Sequence, residues 1–135
     1  MFFNAIVFLR LTEDKKIIYT YYGDMVRLKY RDKSIALFEC ASFYSRLKGF
    51  MFYKNIDIAL LFNKCNSIHT FFMKCNIDVI MCDNDNKVLY YYNNLKKNRI
   101  ILPKKGVYKV YETPSNYFKI KINDKLEVIE WMLLS

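Results

Sequence analysis

Glycine and proline are scarce: three and two residues in a chain of 135. There is one histidine, His69, and one tryptophan. No glycine-rich loop of the kind that cradles a phosphate or forms an oxyanion hole is present. None of Cys40, Cys65, Cys75 and Cys82 forms a CxxC pair, and their spacing with His69 fits no standard zinc pattern. Four reduced thiols, no metal and no cofactor are the expectation. No apolar run approaches the roughly 20 residues needed to cross a bilayer. Residues Met1 to Leu9 are apolar, but Asn4 interrupts them and the first charge, Arg10, follows the run. A secretory signal places its positive charge first, so the expected location is cytoplasmic.

What the chain has in quantity is apolar and aromatic surface. Apolar residues make up 53%, with 12 tyrosines and 11 phenylalanines. That composition excludes disorder and suffices for one domain, residues 1–135, with a core that needs neither disulfides nor metal. Aromatic abundance favours strands. The net charge of +9 is unevenly spread. Between Asp85 and Glu112 there is no acid, but there are Lys87, Lys96, Lys97, Arg99, Lys104, Lys105 and Lys109. With Tyr90, Tyr91 and Tyr92 this stretch reads as a basic patch with stacking platforms for nucleic acid. The competing reading is a set of lysines guarding a sheet edge. Lys, Asn, Ile and Tyr are in excess throughout, as low-GC coding produces, so nucleic acid is not the favoured partner.

Taken in order, the chain alternates short strands and turns. Strands are expected at Ala5 to Leu11, Lys16 to Tyr22, Met25 to Tyr30 and Ser34 to Cys40, with Val26, Leu28 and Tyr30 inward. Thr12 to Lys15 and Gly23-Asp24 are turns. One short helix is expected over Phe43 to Lys48, capped by Ser42 and ended by Gly49. Extended structure resumes at Phe50 to Tyr53 and Ile58 to Phe62. Ile68 to Lys74 and Ile77 to Cys82 read as two strands end to end. Asp83 to Asn86 is a strong turn into a second hairpin arm, Lys87 to Tyr92. Asn93 to Pro103 reads as a polar connection. Strands follow at Val107 to Glu112 and Leu126 to Trp131, with turns at Thr113 to Asn116 and Asn123-Asp124. The fold class is mainly β: an antiparallel sandwich, jelly roll or barrel-like domain with one short helix.

Certain segments resemble a known family. Arg46-Leu47-Lys48-Gly49-Phe50-Met51, then Cys65 through Lys74 and Ile77-Asp78-Val79 to Asp83, are similar to the domain-of-unknown-function 192 family of microbes. Asn94-Leu95-Lys96 with Arg99, and Tyr111-Glu112-Thr113-Pro114-Ser115, resemble its later segments. The resemblance covers roughly residues 40–126 and implies a mostly antiparallel jelly-roll or barrel. It leaves residues 1–35 as an N-terminal embellishment. Asn76 stands where the family often has proline, Lys97-Asn98 replace a Pro-Trp pair, and Asn116 stands for a glycine, a swap that suits a left-handed residue. The family has no established activity, so the resemblance implies no catalytic residue.

Three function classes follow. The first is a non-catalytic binding module for a small anionic ligand or a partner protein. Arg46, His69, Lys74 and Asp78 are polar among apolar residues and are expected to line one pocket, with Phe71, Phe72 and Met73 as apolar wall. Strand parity puts His69 and Lys74 on opposite faces, so a bend near Met73 to Asn76 is required. The competing structural reading makes Arg46 and Asp78 an ion pair and His69 a core residue. The second class is a hydrolase with Cys65 and His69 as nucleophile and base and Asp78 or Asp83 orienting the imidazole, which requires a turn between Cys65 and His69. The third is an interaction domain presenting Tyr90 to Tyr92 to a partner.

Overall fold

The computed structural model describes residues 6–11, 17–22 and 25–131. It is mainly β, a curled half-barrel sheet with one short helix, as the period-2 patterning requires. β1 (Ile6–Leu11) and β2 (Ile17–Tyr22) form an antiparallel pair of their own. The turns expected at Thr12 to Lys15 and Gly23-Asp24 lie outside the described residues. The main sheet has seven strands: β3 (Met25–Tyr30), β4 (Lys33–Glu39), β5 (Ala59–Asn63), β7 (Ile77–Cys82), β8 (Val88–Leu95), β10 (Lys109–Pro114) and β11 (Glu127–Trp131). Their order is β11-β3-β4-β5-β10-β7-β8, and the β4–β5 pair is parallel while the rest are antiparallel. The crossover from β4 to β5 carries α1 (Phe43–Lys48), as a parallel connection needs length. β6 (Ile68–His69) and β9 (Ile100–Ile101) make a third, two-stranded sheet.

The curl follows from how the sheet's ends are tied. The residues just before β8 and β11 meet: Lys87 bridges Lys125, and the Val88 and Leu126 amides donate to Asp124 and Asn86. Apolar side chains therefore fill both faces. Ile77, Val79, Met81, Leu60 and Val110 belong to one core, under α1 and the segments that follow it. Ile80, Cys82, Leu28, Tyr111 and Phe118 belong to the other. β7 is buried at all six positions, which is why its sequence reads as a nearly unbroken apolar run.

Three expected elements take a different form. Phe50 to Tyr53 is not extended but two tight turns, with the Met51 amide donating to Lys48 and the Tyr53 amide to Phe50. The strand expected over Ile68 to Lys74 stops at His69; the chain turns through Phe71-Phe72, and the Met73 amide donates to Thr70. The buried Thr70 enforces that stop. Its hydroxyl donates to the Lys96 carbonyl (2.7 Å) and accepts from the Arg99 amide (2.8 Å), pinning the 96–99 loop where a longer strand would run. The polar connection after Tyr92 is partly strand, since β8 runs on to Leu95 and β9 lies beyond it.

Candidate functional site

Arg46 is placed by the local chemistry of α1. The Ser45 amide donates to the Ser42 hydroxyl (3.0 Å), and the Ser42 amide donates back to the Ser45 hydroxyl (3.1 Å). This reciprocal pair fixes the helix start. Arg46 sits in the last turn, and its guanidinium Nη2 donates to the Lys64 carbonyl at 3.2 Å. Gly49 then reverses the chain with φ +46°, a conformation that disfavours any side chain. Phe50, beyond it, is 1% exposed and seals one side of a cavity of about 250 Å³.

The floor of that cavity is Glu112. In β10 it pairs with Val79 on one side and Leu60 on the other, so it shares their face of the sheet. It is buried, its Oε2 has no hydrogen-bond partner, and no described cation is paired with it. A carboxyl taken from water without a donor favours its neutral form. Burial accordingly pushes Glu112 up from 4.5 to about 8. Gly49 packs directly on it: a Cβ there would lie 3.3 Å from Glu112 Oε2 and 3.4 Å from Phe62 Cζ.

His69, at the end of β6, forms part of the wall with Ile68 and the buried Met73. The Phe71 amide donates to His69 Nδ1 at 3.3 Å, and the two rings stack with centroids 5.3 Å apart. With Nδ1 accepting, the neutral ring carries its proton on Nε2. Cys65 also faces the cavity, but its thiol donates to the Ser67 carbonyl (3.1 Å). Thiol and imidazole are thus bonded to backbone groups and not to each other.

The polar residues singled out in the sequence are only partly brought together. Arg46, His69 and Met73 line the Glu112 cavity, and Phe71 backs the imidazole from outside. Lys74 is exposed and lines a separate, wider groove. Asp78 is on the opposite face of the sheet, because it alternates with Val79 along β7. It is fully buried and accepts from four donors: Tyr91 Oη (2.8 Å), Asn93 Nδ2 (3.0 Å) and the amides of Asn94 (2.7 Å) and Asn116 (3.0 Å). So the four do not share one pocket, nor do Arg46 and Asp78 form an ion pair. The carboxyl that does face Arg46's cavity, Glu112, escaped the sequence reading. Its one signal was phase: Glu112 lies two residues from Val110, so a carboxyl shares a strand face with a core side chain.

The cysteines are free thiols, and among the described residues no cluster of three metal-ligating side chains occurs. Burial pushes Cys40 and Cys82 up to about 12. The three consecutive tyrosines are not one exposed platform. Tyr91 is tied to Asp78, Tyr92 packs against the first core, and Tyr90 alone is exposed, with Lys104 Nζ 5.6 Å from its ring centroid. Among the described residues no helix is long and apolar enough to cross a membrane.

The profile of DUF192, described as uncharacterized ACR, matches residues 26–128. The chain belongs to this family. The matched span takes in β3 and β4 along with the segments from Arg46 onward. Curated relatives include the UPF0127 protein TK1120 of Thermococcus kodakarensis, 33% identical over 96 residues that cover 67% of this chain and 60% of that protein. A UPF0127 protein of Thermococcus gammatolerans is 32% identical over 96 residues, covering 67% of this chain and 62% of the relative. The chain thus spans about 60% of the length of the relatives it matches. Two solved structures share the fold at low identity. One, from Novosphingobium aromaticivorans and of unknown function, has a TM-score of 0.66 at 14% identity, covering 92% of this chain and 94% of that one. The other, from Sinorhizobium meliloti and described provisionally as a transcription regulator, has a TM-score of 0.67 at 18% identity, covering 81% and 95%.

Proposed function

We propose that this protein is a non-catalytic binding module for a small anionic ligand, held in the cavity above Glu112. The observation that carries this reading is the Glu112 carboxyl itself: buried, without a partner, and facing a cavity that Arg46 and His69 also line. An unsatisfied buried polar group calls for a partner that the chain does not supply. Near neutral pH the protonated Glu112 donates a hydrogen bond and adds no negative charge, so an anion can approach it. Arg46 supplies the cation, with guanidinium donors beyond the one used on Lys64. His69 supplies a further N–H, and Phe50, Phe62 and Met73 give apolar walls. At about 250 Å³ the cavity falls just below the range for drug-sized ligands, which favours a small organic acid over a peptide of a partner protein.

Thermal unfolding at pH 6.5, against acetate and inorganic phosphate at rising concentration, tests the reading. A ligand that binds the native state raises Tm by mass action. The expected result is a saturable rise with at least one probe that is lost in Arg46→Ala and kept in Lys74→Ala. A rise that Arg46→Ala retains in full, or no rise with either probe, refutes the proposal.

A further inference from the structure

A second concavity, wider than the Glu112 cavity, lies on the described surface. It is a groove of about 1030 Å³ between the 71–76 turn and the 96–98 loop. Among the described residues four lysines line it, Lys54, Lys74, Lys96 and Lys97, and no acid does. On its wall are two phenylalanines that a globular protein would ordinarily bury. Phe72 is 63% exposed and Phe52 is 43% exposed, with rings stacked at 5.7 Å and 28°. Both backbones hold positive φ, +62° at Phe72 and +71° at Phe52. Bulky side chains rarely adopt this region, and such strain gathers at binding sites. The Phe52 amide donates to the Phe72 carbonyl (3.1 Å), so the two strained residues are locked together and present their rings as a unit. The 96–98 loop is fixed opposite them by Thr70, whose carbonyl accepts from the Asn98 amide and whose hydroxyl donates to the Lys96 carbonyl.

We infer that this groove is a binding site for single-stranded nucleic acid, separate from the Glu112 cavity. Flat exposed rings stack on bases, and flanking lysines neutralise phosphates; this pairing of features is what sequence-tolerant single-strand sites use. A duplex hides its base faces and cannot use the platform. A run of acidic side chains would meet the lysines but brings no aromatic ring to stack on Phe52 and Phe72. The platform is therefore Phe52 and Phe72, not the tyrosine run of β8.

Fluorescence anisotropy of a labelled 12-nucleotide oligo(dT) tests the inference, beside an abasic strand of equal length and a duplex. The expected result is oligo(dT) bound at least fivefold tighter than either control. Its log-affinity should fall with log salt at a slope of about −3, from four lysine contacts at roughly 0.7 each. Phe72→Ala should weaken oligo(dT) by about 5- to 100-fold and leave the abasic strand unchanged. Lys96→Ala should lessen the slope by about 0.7. Abasic and base-bearing strands binding the wild type equally would overturn the proposal, and so would a duplex bound as tightly as oligo(dT). A polyglutamate competing as well as oligo(dT) would reassign the groove to an acidic protein. That comparison in the wild type decides the matter even if Phe72→Ala does not fold.

Discussion

Two acidic side chains, Asp78 and Glu112, lie one position out of register on neighbouring strands, β7 and β10, and both are buried. Asp78 faces the core closed by Tyr91 and Phe118 and accepts four hydrogen bonds. Glu112 faces the other core and has none for its buried oxygen. Burial penalises both, but only Asp78 is compensated. Its donors come from β8 and from the turn after β10, so it joins elements distant in sequence. Glu112 Oε2 bonds to no group of the described chain, and the carboxyl faces an opening. A buried carboxyl with a full set of donors is framework, and one without them, beside a cavity, is the place to look for a ligand.

The largest effect that would sharpen this contrast is expected at Asp78. Asp78→Ala strands four donors, two of them backbone amides, and should cost about 4 kcal/mol or more in urea unfolding at pH 7. A cost under about 1 kcal/mol would show that those bonds are not structural.

At Glu112 the size of the effect depends on pH. The native protein keeps the proton up to about pH 8, whereas the unfolded chain releases it near 4.5. Between these values the unfolded state binds fewer protons, so stability falls as pH rises. Glu112→Gln removes that fall. It should change stability little at pH 4 and add a few kcal/mol at pH 9, with roughly 5 kcal/mol as the ceiling set by the shift. Parallel urea midpoints for wild type and variant across this range would contradict a neutral Glu112.

The smallest effect is at Gly49, which touches Glu112 and not Asp78. Gly49→Ala forces a side chain into positive φ and against Oε2, for a cost of about 1–3 kcal/mol. The same substitution should displace the carboxyl and depress whatever Tm rise a small anion gives the wild type. An alanine variant of unchanged stability and unchanged anion response would remove Gly49 from the site.

Much of the framework is legible in local sequence, because its causes are local. Ser42 and Gly49 bracket a helix found at Phe43–Lys48. Asp83 to Asn86 makes the turn into β8, with Asn86 at φ +63°, and Asn116 is left-handed at φ +62°. The alternation of β7 assigns Val79 and Ile80 to different cores before any coordinates exist. Period-2 patterning fixes a side chain's face in this way whatever the neighbouring strands are.

Which strands become neighbours is a tertiary matter, and it decides the site. Glu112 is deep only because β10 inserts between β5 and β7, bringing Leu60 and Val79 to either side of it. Nothing in Tyr111-Glu112-Thr113 separates that outcome from a solvent-facing strand. The stop after His69 likewise depends on Thr70 meeting a loop 26 to 29 residues away. Alternating residues specify a face; the depth of that face, and whether a cavity opens over it, come from long-range pairing.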